Sequence, residues 1–246
     1  MIALSGVTLP LDFDDALLAR RAAEALHLKP TDIKGVELLK LSLDCRRKPD
    51  LKYVATIGAT LSPSDEKRAK KRGLPEHKRT KTLREIARDM TPPKEFLRPV
   101  VVGSGPAGLF CALTLAYAGF KPIVLERGDS VEKRLAKVKA FAEGGALDPE
   151  SNVQFGEGGA GTFSDGKLAT GISDTLIATV LRTFADMGGG EELTVDAKPH
   201  IGTDRLVDVV AGMRREIERL GGEVRFNSKF VAVETGGGAL KAVRVT

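Results

Sequence analysis

The sequence holds only two cysteines, three histidines and two tyrosines, and no tryptophan. Cys45 and Cys111 lie far apart and form no CxxC, zinc or disulfide-framework spacing. A chain stapled by disulfides or built around structural zinc is therefore excluded, no metal site is expected, and a reducing compartment is expected. The opening residues MIALSGVTLPLDFDD lack a basic stretch followed by an apolar one, so no secretory signal is read there and a cytoplasmic protein is expected. No internal repeat is visible. One uncharged stretch, the 22 residues from Pro99 to Phe120, is long enough to cross a bilayer. Gly103, Ser104, Gly105, Pro106 and Gly108 would break a helix near its start and leave too short an apolar remainder, so no membrane span is expected.

Glycine is abundant. The chain has 27 glycines in 246 residues, well above the usual share of about 7%, so sharp turns and close backbone approaches are expected. Charge is unevenly distributed: residues 1–98 hold 21 Lys and Arg against 14 Asp and Glu, a net +7, while the remainder is net −2. The stretch from Asp65 to Arg88 alone carries ten basic and four acidic residues. It reads either as a solvated linker or helix face, or as a surface for RNA, a membrane or an acidic partner.

Residues 1–64 read as a small α+β domain of βαββ type. Residues 2–8 form a strand, and Asp12 or Asp14 caps a helix bearing Leu17, Leu18, Ala22, Ala25 and Leu26 at helical spacing. Leu39, Leu41, Leu43 and Cys45 alternate with polar residues, which predicts one apolar strand face. Lys48, Pro49 and Asp50 then turn the chain into a second strand from Leu51 to Ala59. Residues 65–98 read as a basic helical linker ending at Pro92-Pro93, and residues 99–246 as a second domain.

That second domain opens on Val100-Val101-Val102, then Gly103-Ser104-Gly105-Pro106-Ala107-Gly108, then an apolar helix closed by Gly119. A second strand, Pro122 to Leu125, ends in Glu126, 18 residues past Gly108. A GxGxxG set between strand and helix, with an acid after the next strand, is the dinucleotide-binding arrangement. Gly103 makes the tight turn, Gly105 admits a pyrophosphate to the backbone, and Gly108 lets helix and strand pack closely. The helix N-terminus then favours the phosphates, and Glu126 would accept hydrogen bonds from ribose hydroxyls. The expected fold class is α/β, a Rossmann-like FAD/NAD(P)-binding domain preceded by the small α+β domain.

The run VVGSGPAGLFCALTLAYAGFKPIVLERG, with Glu126-Arg127-Gly128, resembles the opening of FAD-binding proteins of the glutathione-reductase-like superfamily. Three further runs are SLDCRRK at Ser42–Lys48, NVQFGEGGAGTFSDGKL at Asn152–Leu168 and KPHIGTD at Lys198–Asp204. With these the chain resembles a poorly characterised bacterial group of FAD-dependent dehydrogenases with a small N-terminal α+β domain. The resemblance implies FAD as cofactor, NAD(P)H as a candidate electron donor, a small-molecule substrate of unknown identity, and a backbone contact to adenine at Phe230. It also implies that Gly158, Gly159 and Gly161 approach the cofactor; the other reading of that run is a flexible loop. The family's domain closes with further segments, so Thr246 is expected to fall within an incomplete domain that retains little FAD through purification.

After the acid come a charged helix from Asp129 to Glu143, helices over Leu176–Met187 and Thr203–Leu220 with Asp204 as a cap, and strands over 223–226, 229–234 and 239–245. The disulfide reductases of the superfamily place CxxxxC shortly after the acid. No cysteine follows Cys111, so dithiol chemistry is excluded and Cys111 is expected in the core. His200 and Lys167 are the candidates for proton transfer or for charge near a flavin, and no catalytic residue is fixed. Three functions remain open: an FAD-dependent oxidoreductase, a flavin-using RNA-modifying enzyme, and a non-catalytic dinucleotide-binding protein.

Overall fold

Three strands near the N-terminus form an antiparallel sheet in the order β1-β3-β2: Ile2–Leu9 (β1), Gly35–Asp44 (β2) and Lys52–Thr60 (β3). The computed structural model describes residues 1–246, the side chain of Thr203 excepted. Two compact units are present: Met1–Thr80 with Ala169–Ala178 and Glu191–Pro199, and Lys81–Leu168 with Thr179–Gly190 and His200–Thr246.

In the first unit the helix Asp15–Leu26 (α1) begins because the Asp14 carboxylate accepts the Leu17 amide at 2.7 Å, satisfying a donor that has no intrahelical partner. His27 closes it in the left-handed region at φ 58°. Leu18, Ala22 and Leu26, four residues apart, pack on Ile2, Leu4, Leu9, Ala55, Ile57 and Ala59 of the sheet. A bulge between Leu38 and Lys40 resets the alternation of β2. Leu38 and Leu41 therefore pack against this core, while Leu39 turns away, its Cδ1 beside Gly58. Leu43 is 51% exposed. The single apolar face read from the sequence is thus corrected: one inserted residue breaks the period of two. Leu41 also exchanges backbone hydrogen bonds with Val195 and Ala197, at 2.7 and 3.0 Å, which covers the open edge of β2.

A helix at Pro63–Lys71 (α2), capped by Ser62, buries only Ala69. Its charges pair locally, Lys70 with Glu66 and Glu76, and Arg68 with Asp65.

The second unit is built on a parallel sheet, Val100–Val102 (β4), Ile123–Leu125 (β5) and Glu223–Arg225 (β6), in the order β4-β5-β6. A short helix, Leu83–Ala87 (α3), is set by a capping box in which Thr82 and Glu85 satisfy each other's backbone donors. Pro106–Tyr117 (α4) follows β4 and buries Leu109, Ala112, Leu113 and Ala116. Cys111 lies on the opposite side and is exposed, as is Cys45; the expected core position for Cys111 is corrected, because the buried positions of α4 skip it. Val131–Ala142 (α5), the part of Leu176–Phe184 (α6) from Thr179 onward and Thr203–Arg219 (α7) are its further helices. Gly202, not Asp204, holds the N-cap position of α7, and no side chain caps it; Asp204 lies in the first turn. A hairpin, Phe230–Gly236 (β7) and Ala239–Val245 (β8), ends the unit.

The uncharged run from Pro99 is thus a strand, a glycine turn and a twelve-residue helix. No helix among the described residues is long and apolar enough to cross a membrane.

Burial makes a measurable distinction. Ile57→Ala empties a fully buried site and is expected to cost about 2–5 kcal/mol in urea unfolding, whereas Leu43→Ala is expected to cost under about 1 kcal/mol. Equal costs would contradict this difference in burial.

Candidate functional site

β4 runs straight into Gly103, whose amide donates to Leu125 O at 2.7 Å and whose φ is 91°. The turn brings Ser104 against the acid at the end of β5. Glu126 Oε2 accepts the Ser104 amide at 2.8 Å and its hydroxyl at 2.7 Å, while Oε1 accepts the Gly128 amide at 2.9 Å. The carboxylate is almost wholly buried, so three donors offset what burial of a charge costs. Glu126 therefore holds the glycine turn in shape, with capacity for a further donor remaining on Oε1. Gly108 permits the next contact: an added Cβ there would stand 1.9 Å from Gly103 O, so any side chain would push α4 off the turn.

The second glycine run is shaped by a residue that the sequence marks only as part of the charged helix from Asp129 to Glu143. Arg134 of α5 is fully buried. Its guanidinium donates to the carbonyls of Asn152, Val153, Glu157 and Gly159 at 2.7–2.8 Å, with a longer contact to Gly156 O at 3.5 Å. It also lies 4.7 Å from the centre of the Phe163 ring. Burial pulls its pKa down to about 10, so it stays charged at neutral pH. Gly156, at φ 116°, leaves room for this side chain; a Cβ would meet Arg134 Cδ at 2.5 Å.

Glu157 beside it is also fully buried. It accepts the Val131 amide at 2.8 Å and faces Arg214 Nε at 3.0 Å. Burial pushes its pKa up to about 7 against the pull of these partners. Gly158 then joins the two glycine runs, its amide donating to Ser104 O at 2.9 Å.

The result is a cleft of about 340 Å³. Gly103, Gly105, Glu126, Arg127, Gly159 and Phe230 line it, drawn from four separated parts of the chain. Val102, Leu125, Gln154, Phe155, Gly156, Ser228 and Lys229 complete the wall; none was named as a contact from the sequence, although Gln154, Phe155 and Gly156 lie in the run Asn152–Leu168. Ser104, Pro106, Ala107 and Gly108 are not on the wall: Ser104 is buried behind it on Glu126, and the other three form the first turn of α4. Gly158 is buried and Gly161 exposed, both off the wall. Arg127 stacks over the Phe155 ring at 4.4 Å. Glu150, bonded by Arg127 and Lys229, is held down at about 2 and so stays ionised between them. Lys167 and His200, 33 positions apart, are paired in an antiparallel bridge, continued by the Ile201 amide on Gly166 O at 2.8 Å. Lys167 forms an ion pair with Asp165 at 2.7 Å, and all three side chains are exposed.

Residues 98–162 match the FAD binding domain family.

This match spans the strand, the glycine turn, the acid and most of the second glycine run. Residues 1–60 match a domain of unknown function, DUF8436. The chain is 42% identical over 245 residues to an uncharacterized protein of Clostridium beijerinckii (strain ATCC 51743 / NCIMB 8052). The match covers 99% of this chain and 46% of that protein, so the chain spans about half the length of this relative.

Two outcomes follow for the segment that matches the FAD binding domain family. Arg134→Met leaves several buried carbonyls without a donor and is expected to cost at least about 3 kcal/mol. Arg134→Lys recovers only part of that, since one ammonium cannot reach carbonyls spread across the loop; a Lys variant as stable as wild type would refute this account of the loop. For Glu157 the sign is set by its raised pKa. Below pH 4.5 the carboxyl is protonated whether folded or not; toward pH 7 the unfolded chain loses the proton first, so stability falls with rising pH. The loss amounts to about 3 kcal/mol across that window. Glu157→Gln removes this slope, as seen by comparing urea midpoints of the two proteins from pH 4.5 to 7.

Proposed function

We propose that this chain binds FAD through the cleft at Gly103, Gly105 and Glu126 and belongs to a flavin-dependent oxidoreductase. The observation that carries the reading is the cleft itself: a glycine turn at the start of a helix, an acid held beside it and a second glycine run meet around one space, within the segment similar to FAD binding domains. The fit is supported by the turn. A Cβ added at Gly103 or Gly105 would meet no atom within 4 Å, so the backbone there faces open space beside the N-terminus of α4, where phosphate is favoured.

In this reading Gly103, Gly105 and Gly159 form the floor beneath the pyrophosphate. Glu126 Oε1 takes a ribose hydroxyl while Oε2 remains on Ser104, and Phe230 offers its backbone to the adenine. Arg127 and Lys229, with Glu150 between them, give the mouth of the cleft a basic rim. A bound flavin supplies hydride and electron transfer, and the protein contributes position and electrostatics. Lys167 and His200, brought side by side, are the groups to hold or release a proton at the substrate. NADH or NADPH is the proposed electron donor, and the cytoplasm the proposed compartment.

Gly105 provides a clean test. Its φ of −68° suits any residue and its Cβ would touch no protein atom, so Gly105→Ala is expected to keep the melting temperature of the wild type while its Cβ intrudes on the ligand's space. Titration with FAD, followed by flavin fluorescence, is expected to show affinity weakened about tenfold or more. Equal affinity in the two proteins, or no binding by either, would overturn the assignment of the cleft.

A further inference from the structure

A second cleft of the second unit lies elsewhere. It is a cleft of about 630 Å³ lined by Arg84 of α3, Tyr117 at the end of α4, Asp186 and Met187 after α6, and Arg215, Glu216 and Arg219 of α7, among others. Its volume is within the range of small-ligand sites. Gly105 and Tyr117 stand at opposite ends of α4, about 18 Å apart along the helix, so this cleft is separate from the one at the glycine turn.

The charges of its wall are not balanced. Three guanidinium groups reach it. Glu216 serves two of them: Oε1 accepts from Arg84 Nη2 at 3.1 Å and Arg219 Nη2 at 2.8 Å, and Oε2 from Arg219 Nε at 2.6 Å. Asp186 is paired with Arg182, at 2.9 Å, which is not on the wall. Among the described residues the Arg215 side chain has no hydrogen bond or ion pair, and it is exposed. With Asp186 neutralised by Arg182, three positive charges stand against one negative, an excess of two. The guanidinium of Arg84 lies 4.8 Å over the Tyr117 ring, and with 58% of the side chain exposed its outer face is open to a planar group.

We propose that this cleft is a second binding site, taking a phosphate monoester of mononucleotide size. A dianionic phosphate matches the excess of two positive charges where a single carboxylate does not. The fork geometry of Arg215 suits its oxygens, Arg219 adds its charge with Nε and Nη2 held by Glu216, and a base can stack on the free face of Arg84. A small molecule is favoured over a macromolecule because the positive groups converge in a concave space instead of spreading along a surface.

The test uses the scarcity of tyrosine. The chain has only Tyr53 and Tyr117, so the protein labelled with fluorotyrosine gives two ¹⁹F resonances, told apart by Tyr53→Phe. Titration with AMP, adenosine and inorganic phosphate is expected to move the Tyr117 resonance with AMP, less with phosphate, and not with adenosine. Arg215→Ala, at a partnerless exposed residue, is expected to leave the melting temperature unchanged and weaken the AMP response at least tenfold. A Tyr117 resonance that stays fixed at millimolar AMP, that moves equally with adenosine, or that responds unchanged in Arg215→Ala overturns the proposal. AMP occupying the cleft at the glycine turn would leave Tyr117 unmoved, so the two sites are read independently.

Discussion

A single buried guanidinium organises the second glycine run. Arg134 gathers the carbonyls of Asn152, Val153, Glu157 and Gly159 around one charge, and those carbonyls belong to a segment with no helix or strand of its own before Ala160. Loops seldom lie buried because their backbone groups then lose water; here the arginine replaces the water. Remove the charge and the loop has no reason to fold inward. Gly159 and Gly156, which line the cleft, would lose their position with it.

Glu126 performs the matching task for the first glycine run, with donors in place of acceptors. Its carboxylate collects the amides of Ser104 and Gly128 and the Ser104 hydroxyl. The two runs are then joined by the Gly158 amide on Ser104 O. One buried anion and one buried cation thus each fold a stretch of irregular backbone, and the cleft lies where the stretches meet. Glu157 carries the cost of this arrangement: it is fully buried and its proton affinity is raised by the loss of solvent, in spite of Arg214 at 3.0 Å.

The first unit is organised by ordinary apolar packing. Its charges stay at the surface, and most of those on α2 pair within a turn or two, where each pair contributes only a few tenths of a kcal/mol. Its sheet edge is closed by backbone pairing between Leu41 and residues 195–197.

The sequence by itself determined whatever depends on near neighbours. The strand, glycine turn, helix and following acid are legible because each glycine answers a local steric demand, and Asp14 and Thr82 cap helices three residues away. Tertiary structure alone decided which charges go inside. Arg134 sits in a helix with Lys133, Lys137 and Lys139, and nothing in its spacing sets it apart; its acceptors lie 18 to 25 positions away. The bulge in β2 escaped reading for a similar reason, since an inserted residue is defined by what β3 pairs with and not by β2. Alternation and capping are short-range and written in order along the chain. The desolvation that turns a charged residue into the keystone of a loop is a property of everything that surrounds it.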